Sequence, residues 1–184
     1  MGMRIGIVGA QSVGKTTLAN DLAQATNSTL IEEQIRISND KFSLLGYQAL
    51  DQIVASAWYS NFMFDILINQ VQKEVLAKRG FVSDRTTLDY YAYYELLSND
   101  PPEVQKIIKG LFLPRFQDSY DLIYYLPITF DLVNDGYRHM DHKLQCQADA
   151  RLQTLLKPYP NVVAIHAHSP EERLDKAVKI LKMF

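Results

Sequence analysis

The amino-acid sequence predicts an α/β fold of three layers, a five-stranded and mostly parallel sheet with helices on both faces. Two observations carry this prediction. Short apolar runs typical of buried strands alternate with segments of helical apolar spacing, which favours parallel strands joined by right-handed crossovers. The first apolar run also leads through a glycine-rich turn directly into a helical segment. The 184 residues contain no linker or internal repeat, so we expect a single domain over residues 1–184.

The predicted elements follow one another in a regular order. Strands are predicted over residues 4–8, 29–31, 80–84, 122–126 and 162–166. Helices are predicted over residues 15–25, about 47–79, 88–97, 103–113, 143–156 and 171–183. Gly80 would end the long second helix, and Pro101, Pro102 and Pro114 delimit the helices in the middle of the chain. In a parallel sheet of this kind, ligands bind at the carboxyl ends of the strands.

The glycine-rich turn covers residues 9–16, GAQSVGKT, and matches the pattern GxxxxGK(S/T). Gly9 and Gly14 allow the backbone to curl, so that successive N–H groups and the positive end of the next helix face one anion. Lys15 would then reach the outer phosphates of a nucleoside triphosphate, and the hydroxyl of Thr16 would hold Mg²⁺ between the β- and γ-phosphates. An ordinary glycine-rich turn is the alternative, but such a turn needs neither the lysine nor the threonine.

The sequence therefore predicts a phosphate-binding loop, or P-loop, with ATP and Mg²⁺ as cofactors. Lys15 is also expected to act in catalysis, because its charge would stabilise the phosphoryl group during transfer. The residues expected to hold the nucleotide are Gly9, Gln11, Ser12, Val13, Gly14, Lys15, Thr16 and Thr17.

Charged residues follow the second predicted strand. The carboxylate of Glu33 could accept a proton from a hydroxyl group, and Arg36 could hold the molecule that carries this hydroxyl. A solvated charged loop is the alternative for this segment. We expect Glu33 to be catalytic and both residues to bind the acceptor.

Asp84 and Arg85 stand at the end of the third predicted strand. Asp84 would face Mg²⁺ from the side opposite Thr16. It is also expected to be catalytic, and whether Glu33 or Asp84 acts as the base stays open. Arg85 would act in catalysis and hold the acceptor. A salt bridge between Asp84 and Arg85 is the alternative. Asp89 lies three residues beyond Thr86, so its two competing explanations are a helix capping box and a contact with the acceptor.

These residues resemble the P-loop kinases of the NadR-like ATPase and kinase group, which have an AAA-type P-loop domain and are relatives of thymidylate and deoxynucleoside kinases. The resemblance spans most of the chain. In that group a Glu-x-x-Arg pattern follows the second strand, as Glu33 and Arg36 do here. The patterns Asp-Arg-x-x-x-Asp-x-x-Ala-Tyr and Asp-Gly-x-Arg follow the third and fourth strands, and they are matched by Asp84, Arg85, Asp89, Ala92 and Tyr93, and by Asp135, Gly136 and Arg138.

The resemblance implies a P-loop NTPase fold of the nucleoside and nucleotide kinase type. It implies ATP-dependent transfer of the γ-phosphoryl group to a nucleoside, a nucleoside monophosphate or a similar small acceptor. It also implies a small helical lid at about residues 131–150 and an adenine site bordered by Ser169 and Pro170. Arg138 in the lid would neutralise charge on the transferring group, with an exposed basic loop as the alternative.

Four tyrosines stand on the helix predicted after the third strand. Rings that point to both sides of a helix cannot all contact one ligand, so most of them are expected to fill the core. Tyr93 is the one expected to stack on the acceptor. The other three are Tyr90, Tyr91 and Tyr94.

The composition limits the partners. A formal net charge of −2 gives no field that would collect extended DNA or RNA. Cys146 is the only cysteine, so no internal disulfide can form, which fits a cytoplasmic protein. No apolar run approaches the length of a membrane span.

A zinc site of Cys146 with His139 and His142 lacks a fourth ligand. The number of subunits stays open, a homodimer included.

Two kinds of acceptor compete. A nucleoside hydroxyl needs a carboxylate base, whereas a nucleoside monophosphate needs arginines around the phosphate that it already carries. Convergence of Arg36 and Arg85 on a point beyond the γ-phosphate would favour a monophosphate, and Glu33 at that point would favour a free hydroxyl. A P-loop NTPase or nucleotide switch that hydrolyses ATP or GTP to drive a partner is the alternative class, although the chain has no guanine-reading Asn-Lys-x-Asp. A binding protein without turnover is the third.

Overall fold

The strands form one parallel sheet. The computed structural model describes residues 2–47, 49–77, 80–129 and 142–184. The strands are β1 (Arg4–Val8), β2 (Thr29–Ile31), β3 (Phe81–Asp84), β4 (Leu122–Tyr125) and β5 (Val162–Ala164). Their order in the sheet is β2-β3-β1-β4-β5, and all four neighbouring pairs are parallel. The α/β class and the five-stranded sheet predicted from the sequence are confirmed.

Helices connect the strands on both faces of this sheet. They are α1 (Lys15–Thr26), α2 (Gln34–Ser43), α3 (Leu50–Val54), α4 (Tyr59–Leu76), α5 (Thr87–Leu97), α6 (Pro102–Ser119), α7 (His142–Leu156) and α8 (Pro170–Leu181). Side chains of α1 and α8 share a buried cluster with Ile5, Ile7 and Val82. Helices α5, α6 and α7 contribute to the cluster on the other face, which contains Val8 and Phe81. The alternation of side chains along the buried strands thus feeds two cores, as expected for a three-layer fold.

The prediction of one long helix over residues 47–79 was wrong, because the helix is interrupted between α3 and α4. Ser56 lies in the break, and its hydroxyl donates to the carbonyl of Ile53 at 2.8 Å. The same oxygen accepts from the N–H of Trp58 at 3.1 Å. A serine that bonds nearby backbone groups competes with the helical pattern, which explains the interruption.

Two further helix boundaries differ from the predictions. Helix α2 was not predicted, because its segment is largely polar and only Gln34, Ser38 and Phe42 are buried. Helix α6 was expected to end before Pro114 but continues to Ser119. Phe112 and Phe116 on either side of this proline are fully buried, so their packing outweighs the backbone hydrogen bond that proline removes.

The register of the sheet brings the candidate residues to one edge. Ile7 in β1 pairs with Asp84 in β3, and Ile31 in β2 pairs with Ser83. The segments that leave β1, β2 and β3 therefore start side by side. Among the helices that the structure describes, none is long and apolar enough to cross a membrane.

Candidate active site

The P-loop joins β1 to α1 through a left-handed turn. Ser12 and Gly14 have φ angles of 59° and 85°. A Cβ atom on Gly9 would lie 2.6 Å from the carbonyl oxygen of Leu126, so only glycine fits there. Gly14 is the N-cap residue of α1, and the first turn of this helix has no acidic residue. The first N–H groups and the positive end of α1 can therefore face an anion.

Three helices hold this loop from outside. From α5, Asp89 accepts from the N–H of Gly9 at 3.1 Å, and the hydroxyl oxygen of Tyr93 accepts from the N–H of Gln11 at 2.8 Å. From α7, Gln145 donates to the carbonyl of Gln11 at 2.8 Å. From α8, Arg173 donates to the carbonyl of Val13 at 2.5 Å. The loop thus has a defined shape before any ligand binds.

The sequence analysis did not find Gln145 or Arg173. Both are buried, and each shares the buried face of its helix with apolar residues, such as Ala148 in α7 and Ala177 in α8. A polar residue within a buried helical face was the available signal, because such a side chain must find a hydrogen-bond partner inside the protein.

Lys15 and Thr16 stand at the start of α1 with different surroundings. Lys15 is only 4% exposed, and its ammonium group donates to the carbonyl of Ala10 at 2.5 Å. Thr16 is exposed and donates from its hydroxyl to Asp84 Oδ2 at 2.6 Å. Thr17 is exposed as well. The Thr16–Asp84 contact brings together the two residues expected to hold a metal.

The Thr16–Asp84 pair fits Mg²⁺. Asp84 is buried, and its Oδ1 has no hydrogen-bond partner among the residues that the structure describes. A hydroxyl and an unpartnered carboxylate oxygen are ligands that Mg²⁺ accepts while it keeps waters and binds phosphate oxygens. Over the described ranges, no cluster of three or more His, Cys, Asp or Glu residues could hold a metal.

Glu33 lies between two arginines. Arg85 is 2% exposed and donates from Nε to Glu33 Oε1, and Arg36 Nε lies 3.6 Å from Glu33 Oε2. Burial lowers the pKa of Arg85, but the charge of Glu33 and smaller contributions from Tyr93, Asp89 and Tyr90 together outweigh burial, so the net effect is a raised pKa. Arg85 therefore pairs with Glu33, whereas the sequence analysis had considered a pair with Asp84.

One side-chain nitrogen of Arg85 takes part in no hydrogen bond with the described residues. Its Nη1 is buried and has no hydrogen-bond partner within the described part of the chain. A buried guanidinium N–H without an acceptor costs free energy unless a ligand supplies one. The ring of Tyr93 lies over the same guanidinium, 5.4 Å from its central carbon to the ring centroid.

Two cavities meet at Glu33 and Arg36. The first has a volume of about 140 Å³ and combines charged residues with an apolar wall of aliphatic and aromatic side chains. The second has a volume of about 170 Å³ and includes Thr16 and Asp84 in its wall. Glu33 and Arg36 line both cavities. Other residues that line the first cavity are Gln11, Asn39, Tyr59, Phe62, Met63, Ile66, Arg85, Tyr90, Tyr93 and Leu97.

Asp89 occupies the structural one of its two expected roles. It is fully buried and forms a capping box with Thr86 at the start of α5, and it lines neither cavity. Burial raises the pKa of Asp89, while the charges of Arg85 and Lys15 act against this rise. Asp89 thus supports the P-loop through Gly9, and its expected contact with the acceptor stays a prediction.

The tyrosines of α5 divide as the helical geometry requires. Tyr93 lines the first cavity, and so does Tyr90, whose hydroxyl oxygen accepts from the N–H of Gln34 at 3.0 Å. Tyr91 and Tyr94 are buried and line neither cavity.

The residues expected at the adenine site and in the lid are described only in part. Ser169 is the N-cap residue of α8 and accepts from the N–H of Glu172 at 3.2 Å, with Pro170 as the first helical residue. Their helix contacts the P-loop through Arg173. Arg138 and residues 131–141 of the predicted lid lie outside the described residues, and residues 142–150 form the first part of α7.

In this site a left-handed glycine turn follows a buried strand, a lysine and a threonine begin the next helix, and a carboxylate lies opposite them. These features define a P-loop nucleotide-binding domain. The comparison with protein families gives the same class. A model described as the AAA domain matches residues 4–173, so the chain belongs to this family. The resemblance to an AAA-type P-loop group is thus confirmed.

Solved structures share this fold. Deoxyadenosine kinase from M. mycoides, with the products dCMP and a flexible dCDP bound, superposes with a TM-score of 0.74 at 13% identity, over 99% of this chain and 100% of that one. The NadR protein in complex with NR gives 0.69 at 20% identity, over 100% of this chain and 51% of that one. Thymidylate kinase from Candida albicans gives 0.68 at 16% identity, over 99% and 92%. No curated protein sequence matches the chain.

Proposed function

We propose that this protein is an ATP-dependent kinase that transfers a phosphoryl group to a free hydroxyl of a nucleoside-like molecule. The observation that carries the proposal is the position of Glu33 between Arg85 and Arg36, in the wall that the two cavities share. The cavity with Thr16 and Asp84 would hold the phosphates, and the aromatic cavity would hold the acceptor.

The charges around Glu33 favour a hydroxyl over a monophosphate. Both arginines are directed at this carboxylate, so an incoming phosphate would have to displace them or lie beside a negative charge. A hydroxyl group can instead donate to Glu33 and accept from Nη1 of Arg85, the buried nitrogen without an acceptor among the described side chains. The largely apolar and aromatic wall suits the flat base of a nucleoside.

The proposed reaction assigns one task to each residue. The acceptor oxygen attacks the γ-phosphorus, its proton passes to Glu33, and the bond between the γ-phosphorus and the bridging oxygen breaks to release ADP. Arg85 orients Glu33. Lys15 neutralises the outer phosphates of ATP. Thr16 and Asp84 would hold Mg²⁺, which when bound supplies further neutralisation of the phosphates.

Two parts of the proposal have other support. Arg138 is proposed from the sequence as the cation of a lid, and Arg138→Ala should then lower kcat far more than it weakens ATP binding. A nucleoside-type acceptor is supported by two fold neighbours, deoxyadenosine kinase, which is named for a nucleoside, and NadR, which was solved with NR.

The test is an acceptor panel. The protein is incubated with Mg²⁺ and ATP, or GTP, together with ribonucleosides, deoxyribonucleosides, their monophosphates and nicotinamide riboside, and both ADP or GDP and the phosphorylated product are measured. We expect product only with acceptors that carry a free hydroxyl and no phosphate. Product from monophosphates alone would contradict the assigned role of Glu33, and nucleotide hydrolysis that ignores every acceptor would favour an NTPase or nucleotide switch.

Glu33→Gln tests the base directly. The amide keeps the shape of the side chain but cannot take up the proton, so kcat should fall by about 10²- to 10⁴-fold. Glu103→Gln, the same change at an exposed position in the first turn of α6, is the matched control and should leave kcat unchanged.

A further inference from the structure

A buried polar cluster lies below the active site, outside both cavities. It joins Ser83 in β3 to Gln70 and Glu74 in α4 and to Tyr120 at the end of α6, all of them at most 5% exposed. Arg115 closes the cluster by donating to Glu74 Oε2 at 2.5 Å. Four buried polar side chains gathered in a core need a reason, because an apolar set would be cheaper to bury.

We propose that Ser83 is a positioning residue for Arg85 and that Gln70 fixes the direction in which its hydroxyl donates. The hydroxyl of Ser83 donates to the carbonyl of Arg85 at 2.7 Å. The inference rests on the proposed function, because Arg85 is the residue that orients Glu33 there.

The backbone of Arg85 is the part that needs support. Its φ angle is +82°, in the left-handed region that a residue with a side chain rarely adopts. Its N–H donates to the carbonyl of Ile7 at 3.2 Å, and its own carbonyl accepts from Ser83. These two bonds hold both peptide groups of Arg85, so the strained conformation is fixed on either side of the Cα atom.

The chemistry of the cluster determines where the hydrogen of Ser83 points. The carboxylate of Glu74 is in an ion pair with Arg115 and accepts, so the atom of Gln70 that lies 3.0 Å from it is the NH₂ group. The same NH₂ group donates to Ser83 Oγ at 2.9 Å. Since a carbonyl can only accept, the hydroxyl hydrogen of Ser83 is directed to Arg85.

Tyr120 fixes the other end of the cluster. Burial raises the pKa of Tyr120 well above its ordinary value, and the negative charge of Glu74 adds to this rise. The phenol therefore stays protonated and donates to Glu74 Oε1 at 2.5 Å. Tyr120, Arg115 and Gln70 thus all donate to Glu74. Gln70 also donates to Ser83, whose hydroxyl donates to the carbonyl of Arg85.

Loss of the Ser83 hydroxyl should therefore affect the acceptor side of the reaction. With its carbonyl released, Arg85 can relax towards a negative φ and carry its guanidinium away from Glu33. The P-loop is held by α5, α7 and α8 and does not depend on Ser83. Ser83→Ala should lower kcat/KM for the acceptor by about 10- to 100-fold, because a shift near 1 Å has that effect on a catalytic group. The KM for ATP should change by less than about 2-fold.

A matched control separates positioning from general stability. Ser119 is also a buried serine whose hydroxyl donates to a backbone carbonyl, that of Arg115 at 2.5 Å. Ser119→Ala should lower the melting temperature about as much as Ser83→Ala but leave acceptor kcat/KM unchanged. Equal kinetic losses in both variants would mean that Ser83 acts through stability alone and would overturn the proposal.

A double variant gives the decisive readout. If Ser83 acts only through Arg85, then Ser83→Ala added to Arg85→Gln should cause no further loss of kcat/KM. Losses that multiply would overturn the positioning role. Ser83→Cys preserves volume and provides a weaker donor, so it should lie between wild type and alanine, and it serves if the alanine variant does not fold. A wild-type protein without transfer would refute the proposed function, whereas full activity of Ser83→Ala would refute only this inference.

Discussion

At the scale of single residues, the site holds polar atoms in positions that cost stability. Asp84 Oδ1 and Arg85 Nη1 are buried without a hydrogen-bond partner among the residues described, and Arg85 has a left-handed backbone. Each such feature opposes folding by about 1–3 kcal/mol. Such costs are retained at positions where a bound ligand supplies the missing hydrogen-bond partner. They therefore support the proposed phosphate side at Asp84 and the proposed acceptor side at Arg85.

Asp84→Asn tests whether this cost serves the metal. The amide keeps an oxygen that can accept from Thr16 but removes the buried charge. We expect the Mg²⁺ concentration for half-maximal activity to rise at least about 10-fold, because the anionic ligand is lost. The free energy of unfolding without nucleotide should rise by about 1 kcal/mol. Titration of activity with Mg²⁺ and urea unfolding measure the two effects, and Asp175→Asn on the exposed face of α8 is the control.

Lys15→Ala tests the P-loop itself. The ammonium group is placed to meet the phosphates, and it donates to the carbonyl of Ala10 within the same loop. Turnover should fall by at least about 10²-fold, while the circular dichroism spectrum stays that of the wild type. Lys179→Ala, at an exposed position of α8, should leave both unchanged. A variant with normal turnover would contradict the assignment of this loop as the ATP site.

At the scale of elements, the two halves of the site meet on α5. Asp89 and Tyr93 lie one turn apart, and they hold the N–H groups of Gly9 and Gln11. Tyr93 also lines the aromatic cavity and covers Arg85. One helix therefore fixes the distance between the loop for the donor and the residues for the acceptor.

Tyr93→Phe should separate these two tasks. The ring over Arg85 remains, but the oxygen that accepts from Gln11 is lost, so an N–H group of the loop loses its partner. We expect the Kd for ATP to rise by about 5- to 10-fold, which corresponds to one hydrogen bond. Tyr91→Phe makes the same change on the same helix, where the hydroxyl contacts Glu95 instead. A larger effect on acceptor binding than on ATP binding would show that the hydroxyl serves the acceptor rather than the loop.

The sequence predicted those elements whose signals are local. The P-loop, Glu33, Asp84 and Arg85 occur within a few residues of a strand end, so pattern and spacing sufficed to find them. Gln145 and Arg173 bond to loop atoms 134 and 160 residues away, and no local pattern reveals such partners. The break at Ser56 depends on a side-chain hydrogen bond that competes with an otherwise helical pattern.

At the scale of the whole molecule, the two edges of the sheet have different roles. The carboxyl ends of β1, β2 and β3 carry the site, and the amino ends of β1 and β4 are tied by Arg4 and Asp121. Arg4 Nη2 lies 2.6 Å from Asp121 Oδ1, and the backbone N–H of Arg4 donates to Oδ2 at 2.8 Å. This pair contributes to stability far from the chemistry.

The Arg4–Asp121 pair should stabilise the fold at neutral pH but not in strong acid. The hydrogen bond from Arg4 holds the pKa of Asp121 below its ordinary value, although partial burial opposes this effect. Its stabilisation is complete above about pH 4, where an unfolded aspartate is ionised, and is lost as pH falls through the lower pKa of the folded state. Asp121→Asn should cost less than about 1 kcal/mol at pH 7, because the pair is 42% and 41% exposed.

Urea unfolding of both proteins at pH 7 and at pH 2 to 3 measures this dependence. The difference between wild type and Asp121→Asn should shrink as the pH falls. Asp175→Asn, at an exposed position of α8, should show no such change. A difference that grows in acid would contradict the sign derived from the pKa.

The hydrogen bonds that hold the P-loop to three separate helices should affect the rate at which the nucleotide binds. Amide and carbonyl groups of Gly9, Gln11 and Val13 are held by side chains of the protein itself. Little conformational entropy is then lost when the phosphates enter, so association should approach the diffusional rate for such a site and leave discrimination to the dissociation step.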